Sequence, residues 1–174
     1  MNNPSKYRTG LIFGLIAGII YMLILFVRYT YFGKNPQELG IVSVAGYFVL
    51  IILLFVAAYA RKRQLGGYAD VKILFSTIFV VILVAELCFC IFNYVYLKYI
   101  DPGYLERFSI STREWLTKNK LAGDKAEEIL NGLKDQNIVT FGTIAMGFAR
   151  AVIQDSIIGI IIAFILKNKK PDVA

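Results

Sequence analysis

Four ionisable side chains interrupt otherwise apolar stretches of this sequence: Arg28, Glu86, Arg150 and Asp155. In hydrocarbon a charged group is costly unless it is paired, hydrated or neutralised, so each of the four marks an obligatory pairing or an exchange of protons or cations. Glu86, Cys90 and Asn93 share one helical face at i, i+4 and i+7. Thr143, Gly147, Arg150 and Gln154 share another, with Gly147 allowing close approach, and both stripes are expected to point into a helix bundle. At 1.5 Å per residue, Glu86 lies about 22 Å from Val71 and Arg150 about 24 Å from Leu166, hence at one level. Equal depth predicts an intramembrane Glu86–Arg150 pair, with Asn93, Gln154 and Arg28 taking up the spare hydrogen-bonding groups. Asp155 is shallower and about 140° round the helix from Arg150, on the side of Ala151 and Gly159. It needs another partner, a water-filled cavity or a proton. Three roles stay open for these groups: a pair that fixes the bundle's register, proton- or cation-exchanging carboxylates of a small transporter, or a docking face at Asp155 for another subunit's helix.

Other chemistries lack their reagents. The chain has no His and two Cys, and no glycine-rich phosphate loop. Cys88 and Cys90 form a C-x-C within an apolar run, whereas a quinone-linked thiol oxidase requires an exposed C-x-x-C, so they read as reduced packing residues. With no His and no outward cysteine cluster a metal site is not expected, and no Ser or Asp has a base to activate it. The expectation is a non-enzyme without a cofactor.

The elements that must position these groups follow from composition. Of 174 residues, 57% are apolar and 18% charged, and the mean hydropathy is +0.62. Apolar runs at 10–33, 41–60, 71–97 and 139–166 each reach the ~20 residues that cross a bilayer as helix. Lipid cannot satisfy backbone hydrogen bonds, so these runs must be helical despite their many Ile, Val and Phe residues. The fold class is therefore an all-α membrane protein with four transmembrane helices. The first run stays apolar to Phe32 and lacks a small-x-small cleavage site, so it reads as a retained span. Gly10, Gly14 and Gly18 recur every four residues along it, a surface for helix packing inside the bundle or between copies.

Charge supplies the orientation. The N-terminal tail, the second connection and the C-terminal tail together carry nine basic and two acidic residues, while the first connection and residues 98–138 balance at eight of each. The whole net charge of +7 thus lies on one side of the membrane. The positive-inside rule then places both termini in the cytoplasm, and the basic pI reflects membrane orientation with no need of nucleic acid. Tyr29, Tyr31, Tyr94, Tyr96 and Tyr99 fall at the outer ends and Tyr7, Tyr59 and Tyr68 at the inner ends, where amphipathic rings settle.

Residues 101–138 form the one long connection. Asp101-Pro102 reads as a helix start, after which Tyr104, Leu105, Phe108, Trp115 and Leu116 project within about a 120° arc. Asp124 and Glu127 form a capping-box variant ahead of a second stripe at Ala126, Ile129, Leu130 and Leu133, giving an extracytoplasmic amphipathic hairpin. Its stripes pack on each other as a cap, lie on the leaflet, or present a surface to a partner.

Four spans, a basic Lys-Tyr-Arg-Thr-Gly opening, a Tyr-Ile-Asp-Pro exit from span three (Tyr99 to Pro102) and a polar helical insert before a Lys-rich tail resemble the domain-of-unknown-function 4199 family. That resemblance implies a bacterial inner-membrane protein from cells with an outer membrane, and it carries over no catalytic residue. The combined expectation is an accessory or scaffold subunit that binds a membrane-protein partner or a second copy of itself. The alternative is a small transporter using its intramembrane carboxylates. In a background lacking Cys88 and Cys90, a cysteine placed near residue 120 is expected to react with a reagent that cannot enter cells and one near residue 170 is not. The opposite labelling pattern would invert the topology.

Overall fold

The computed structural model describes residues 7–119, 130–131 and 140–168. Among these residues the chain is all-helical: α1 (Arg8–Tyr31), α2 (Pro36–Gln64), α3 (Val71–Val95), α4 (Tyr104–Lys118) and α5 (Phe141–Leu166). A π-helical turn at Tyr96–Ile100 prolongs α3, closed by the Asp101 N–H donating to the Tyr96 carbonyl at 2.8 Å. α1, α2, α5 and the prolonged α3 are each long and apolar enough to cross a membrane.

Local chemistry sets the boundaries. α2 starts at Pro36, five residues before the apolar run expected at 41, because Asn35 caps it: its Oδ1 accepts from the Gln37 N–H at 3.0 Å and proline occupies the first turn. At its other end α2 continues through Arg61, Lys62 and Arg63, cations suited to a helix C-terminus, to a turn at Gly66 and Gly67 with φ of 79° and 90°. α5 opens with a capping box between Thr140 and Thr143. Asp101 does not cap α4 as expected. Gly103 takes that place, and the Asp101 carboxylate is drawn instead into an ion pair with Arg107. The expected second helix of the insert lies outside the described residues except for Leu130 and Asn131, which are helical.

α3 is the central helix, with Leu74, Ile78, Val81, Ile82 and Ala85 fully buried among α1, α2 and α5. Two helices approach it through glycine. A Cβ on Gly10, Gly14 or Gly18 would come within 2.8 Å of Val80, 2.7 Å of Val84 or 2.7 Å of Cys88, so α1 lies on α3 at backbone distance along its first half. The packing glycines thus face the bundle. Gly159 of α5 does the same against Ile78 and Ile82. At the basic end the helices are tied by Thr9 Oγ1 donating to Gln64 Oε1 at 2.8 Å and by a two-residue backbone bridge between Ala69 and Asn168. The α4 end is closed by rings, Tyr29 stacking on Tyr96 at 4.8 Å and meeting Tyr104 edge-on at 4.7 Å.

Gly14→Val is therefore expected to force α1 off α3 and to destabilise the bundle by about 1–3 kcal/mol, the usual range for overpacking. Gly40→Ala, where nothing lies within 4 Å of the added Cβ, should be neutral or slightly stabilising. Thermal unfolding of the two variants in one detergent checks the difference.

Candidate functional site

Glu86 and Asp155 are 3% and 4% exposed, the two most buried carboxyl side chains among the described residues. Their meeting follows from helix geometry. α3 and α5 run antiparallel, with Gly159 level with Ile78, so Glu86 sits about one turn nearer the α4 end than Asp155. Side chains lean toward the N-terminus of their own helix, which tilts Glu86 toward the basic end and Asp155 toward the α4 end and closes that offset. The two carboxyl groups face each other across the α3–α5 contact, and the Tyr47 hydroxyl of α2 donates to Asp155 Oδ1 at 3.0 Å. Carboxyl groups so placed can hydrogen-bond to each other only with a proton on one of them, since ionised carboxylates only accept. Tyr21 of α1 lies within electrostatic reach of Glu86, Asp155, Tyr47 and Arg28.

The structure does not bring Glu86 to Arg150. Depth was matched, but azimuth was not: the Asp155, Gly159, Ile162 and Ala163 face is the one buried against the bundle. Gly147, Arg150 and Gln154 consequently lie exposed on the other side of α5. The expectation that this stripe points inward is corrected because one helix cannot turn two faces about 140° apart toward the same neighbour, and the face with glycine at the contact packs more closely. Asn93 is engaged elsewhere, its Oδ1 accepting from the Tyr29 hydroxyl. The Arg28 guanidinium stands 5.6 Å from the Tyr29 ring, and its Nε is buried without a hydrogen-bond partner. Neither residue serves the carboxyl pair.

A cleft of about 310 Å³ opens between α1, α2 and α3, lined by Tyr21, Arg28, Ser43 and Tyr47 with apolar walls from Ile24 and Phe89. Tyr47 joins it to the carboxyl pair, lining the cleft while its hydroxyl reaches Asp155. Sequence reasoning passed over Tyr21 and Tyr47. Their signal was available, because both hydroxyls fall in mid-span, away from either belt of interfacial tyrosines.

At the α4 end the predicted stripe turns toward the bundle. Tyr104 and Leu116 are buried and Leu105, Phe108 and Trp115 half-buried. Tyr104 stacks on Phe108, and burial pushes its phenol well above the ordinary tyrosine range. Donation to the Asp101 carboxylate raises the Arg107 guanidinium above its ordinary range. Cys88 and Cys90 are free thiols, with Cys88 packed where a Gly18 Cβ would lie. Among the described residues no three His, Cys, Asp or Glu side chains gather as a metal-binding group.

A family model described as a protein of unknown function, DUF4199, matches residues 10–168. The chain belongs to the DUF4199 family. No curated protein and no solved structure matches it. Asp155→Ala is expected to cost about 1–3 kcal/mol, because it strips a partner from both Glu86 and Tyr47 inside the bundle. Arg150→Ala should stay within about 0.5 kcal/mol, as for an exposed side chain. Unfolding midpoints of the two variants in detergent would refute this arrangement if their order were reversed.

Proposed function

We propose that this DUF4199 protein is a small proton-coupled carrier of the bacterial inner membrane, with Glu86 and Asp155 as its proton-binding pair and both termini cytoplasmic. One observation carries the reading: two buried carboxyl groups from different spans face each other at bilayer depth, with no cation paired to either among the described residues. While one proton is shared, the pair carries a single negative charge that the Tyr47 hydroxyl helps to solvate. If the proton leaves, two unit charges face each other. At 4 Å and an effective dielectric constant of 20 such a repulsion amounts to about 4 kcal/mol, enough to shift a two-state helix packing by a large factor. The glycine contacts of α1 and α5 against α3 are the surfaces along which that shift can occur, because they offer no interlocking side chains on one side. Tyr47 lies between cleft and pair, on the route a proton would take.

The test uses the protein in liposomes. Infrared difference spectra between acid and alkaline buffer should contain a protonated-carboxyl band that Glu86→Gln/Asp155→Asn removes, and a trapped pH indicator should report proton movement for the unmodified protein alone. Identical spectra for the two proteins would overturn the assignment.

A second reading rests on a separate observation. Gly147, Arg150 and Gln154 face outward from α5, and an exposed arginine within a span is costly in lipid. An accessory subunit would cover that face with another membrane protein's helix or with a second copy, the small Gly147 allowing close contact. Arg150→Leu would then weaken co-purification or oligomer formation while leaving the carboxyl band in place.

A further inference from the structure

The cleft beside Tyr47 contains a cation with no counter-ion among the described residues. Arg28 is on its wall, its Nε buried without a hydrogen-bond partner, and the one ion pair among the described residues joins Arg107 to Asp101. Guanidinium stays charged throughout the accessible pH range, so the site cannot relieve itself by losing a proton. Of the neighbouring hydroxyls, Tyr47 is committed to Asp155, and Ser43 to the Leu39 carbonyl at 2.5 Å. Tyr21 makes no hydrogen bond with the described residues and lies within electrostatic reach of Glu86, Asp155 and Arg28. Two donors are thus left for a ligand. The remaining wall is apolar: Ile24, Leu25, Val44 and Phe89.

We infer that this cleft binds a small amphiphilic anion, its carboxylate, sulfonate or phosphate group on Arg28 and Tyr21 and its apolar body along Ile24, Leu25, Val44 and Phe89. A cation would meet the guanidinium on the cleft wall itself, whereas the two carboxyls do not line the cleft and connect to it through Tyr47. The volume of about 310 Å³ equals that of roughly ten water molecules at ~30 Å³ each, room for a short-chain molecule. The inference rests on the proton-coupled reading for its role: one anion on Arg28 and one added proton on the carboxyl pair make a charge-neutral load, which lipid opposes least. The same anionic chemistry is offered by a water-soluble organic acid and by a lipid headgroup, and the experiment separates them.

The probe is hexanesulfonate, with ten non-hydrogen atoms and a permanent charge, titrated by calorimetry into the protein held in phosphatidylcholine nanodiscs. Saturable binding is expected, at least tenfold weaker for Arg28→Gln and partly restored for Arg28→Lys. Val44→Trp fills the cleft from an exposed wall position without altering charge, so it should abolish binding even if Arg28→Gln does not fold. Phosphatidylglycerol in the disc weakens the titration if the headgroup occupies the same site, and leaves it unchanged if the occupant is a soluble anion. Glu86→Gln/Asp155→Asn should retain hexanesulfonate binding, so failure of the proton reading and failure of the anion site are seen separately. The inference falls if no saturable binding occurs, if Arg28→Gln and Val44→Trp bind as the unmodified protein does, or if hexyltrimethylammonium binds equally well.

Discussion

The contact of Gly159 with Ile78 and Ile82 decides which face of α5 meets α3, and the polar architecture of the protein depends on that choice. Without a hydrophobic drive between helices in lipid, close backbone approach is what rewards one face over another. Once Gly159 is seated, Asp155 one turn away must face Glu86, and Arg150 must face outward. No rearrangement of side chains can undo this, because the azimuth of a helix fixes all its residues together.

The same logic accounts for α1. Three glycines at four-residue spacing bring α1 onto α3 at Val80, Val84 and Cys88, which carries Tyr21 toward the carboxyl pair and Arg28 to the neighbouring cleft. α2 makes a looser wall, touching α1 where Gly46 meets Ile24 at 3.1 Å, and it supplies Tyr47. A carboxyl pair from α3 and α5, a phenol from α2 and a guanidinium from α1 thus converge from four different helices. Each is polar at a depth where water is scarce, so each must be satisfied by another or by a ligand. The α4 end has a different character: stacked tyrosines and a charged rim pair close it with ordinary interfacial chemistry.

Much of the fold was legible without coordinates. Four apolar runs longer than a bilayer is thick permit only helices, and the glycine repeat of α1 marked a packing surface. The start of α2 at Asn35-Pro36 was equally readable, yet counting apolar residues alone hid it, because Gln37 and Glu38 occupy the first turn of the helix. Asp101-Pro102 misled in the opposite way. An arginine six residues on competed for the carboxylate, and an ion pair displaced the cap.

What the sequence by itself determined is the number of spans, their lengths and which residues would be costly in lipid, because those properties depend on composition and on a fixed rise per residue. What only the tertiary structure decided is the pairing of Glu86 with Asp155 in place of Arg150. Depth along an axis can be counted from a chain, but rotation about that axis is set by which surface packs most closely on a neighbour, and that is a property of two helices at once.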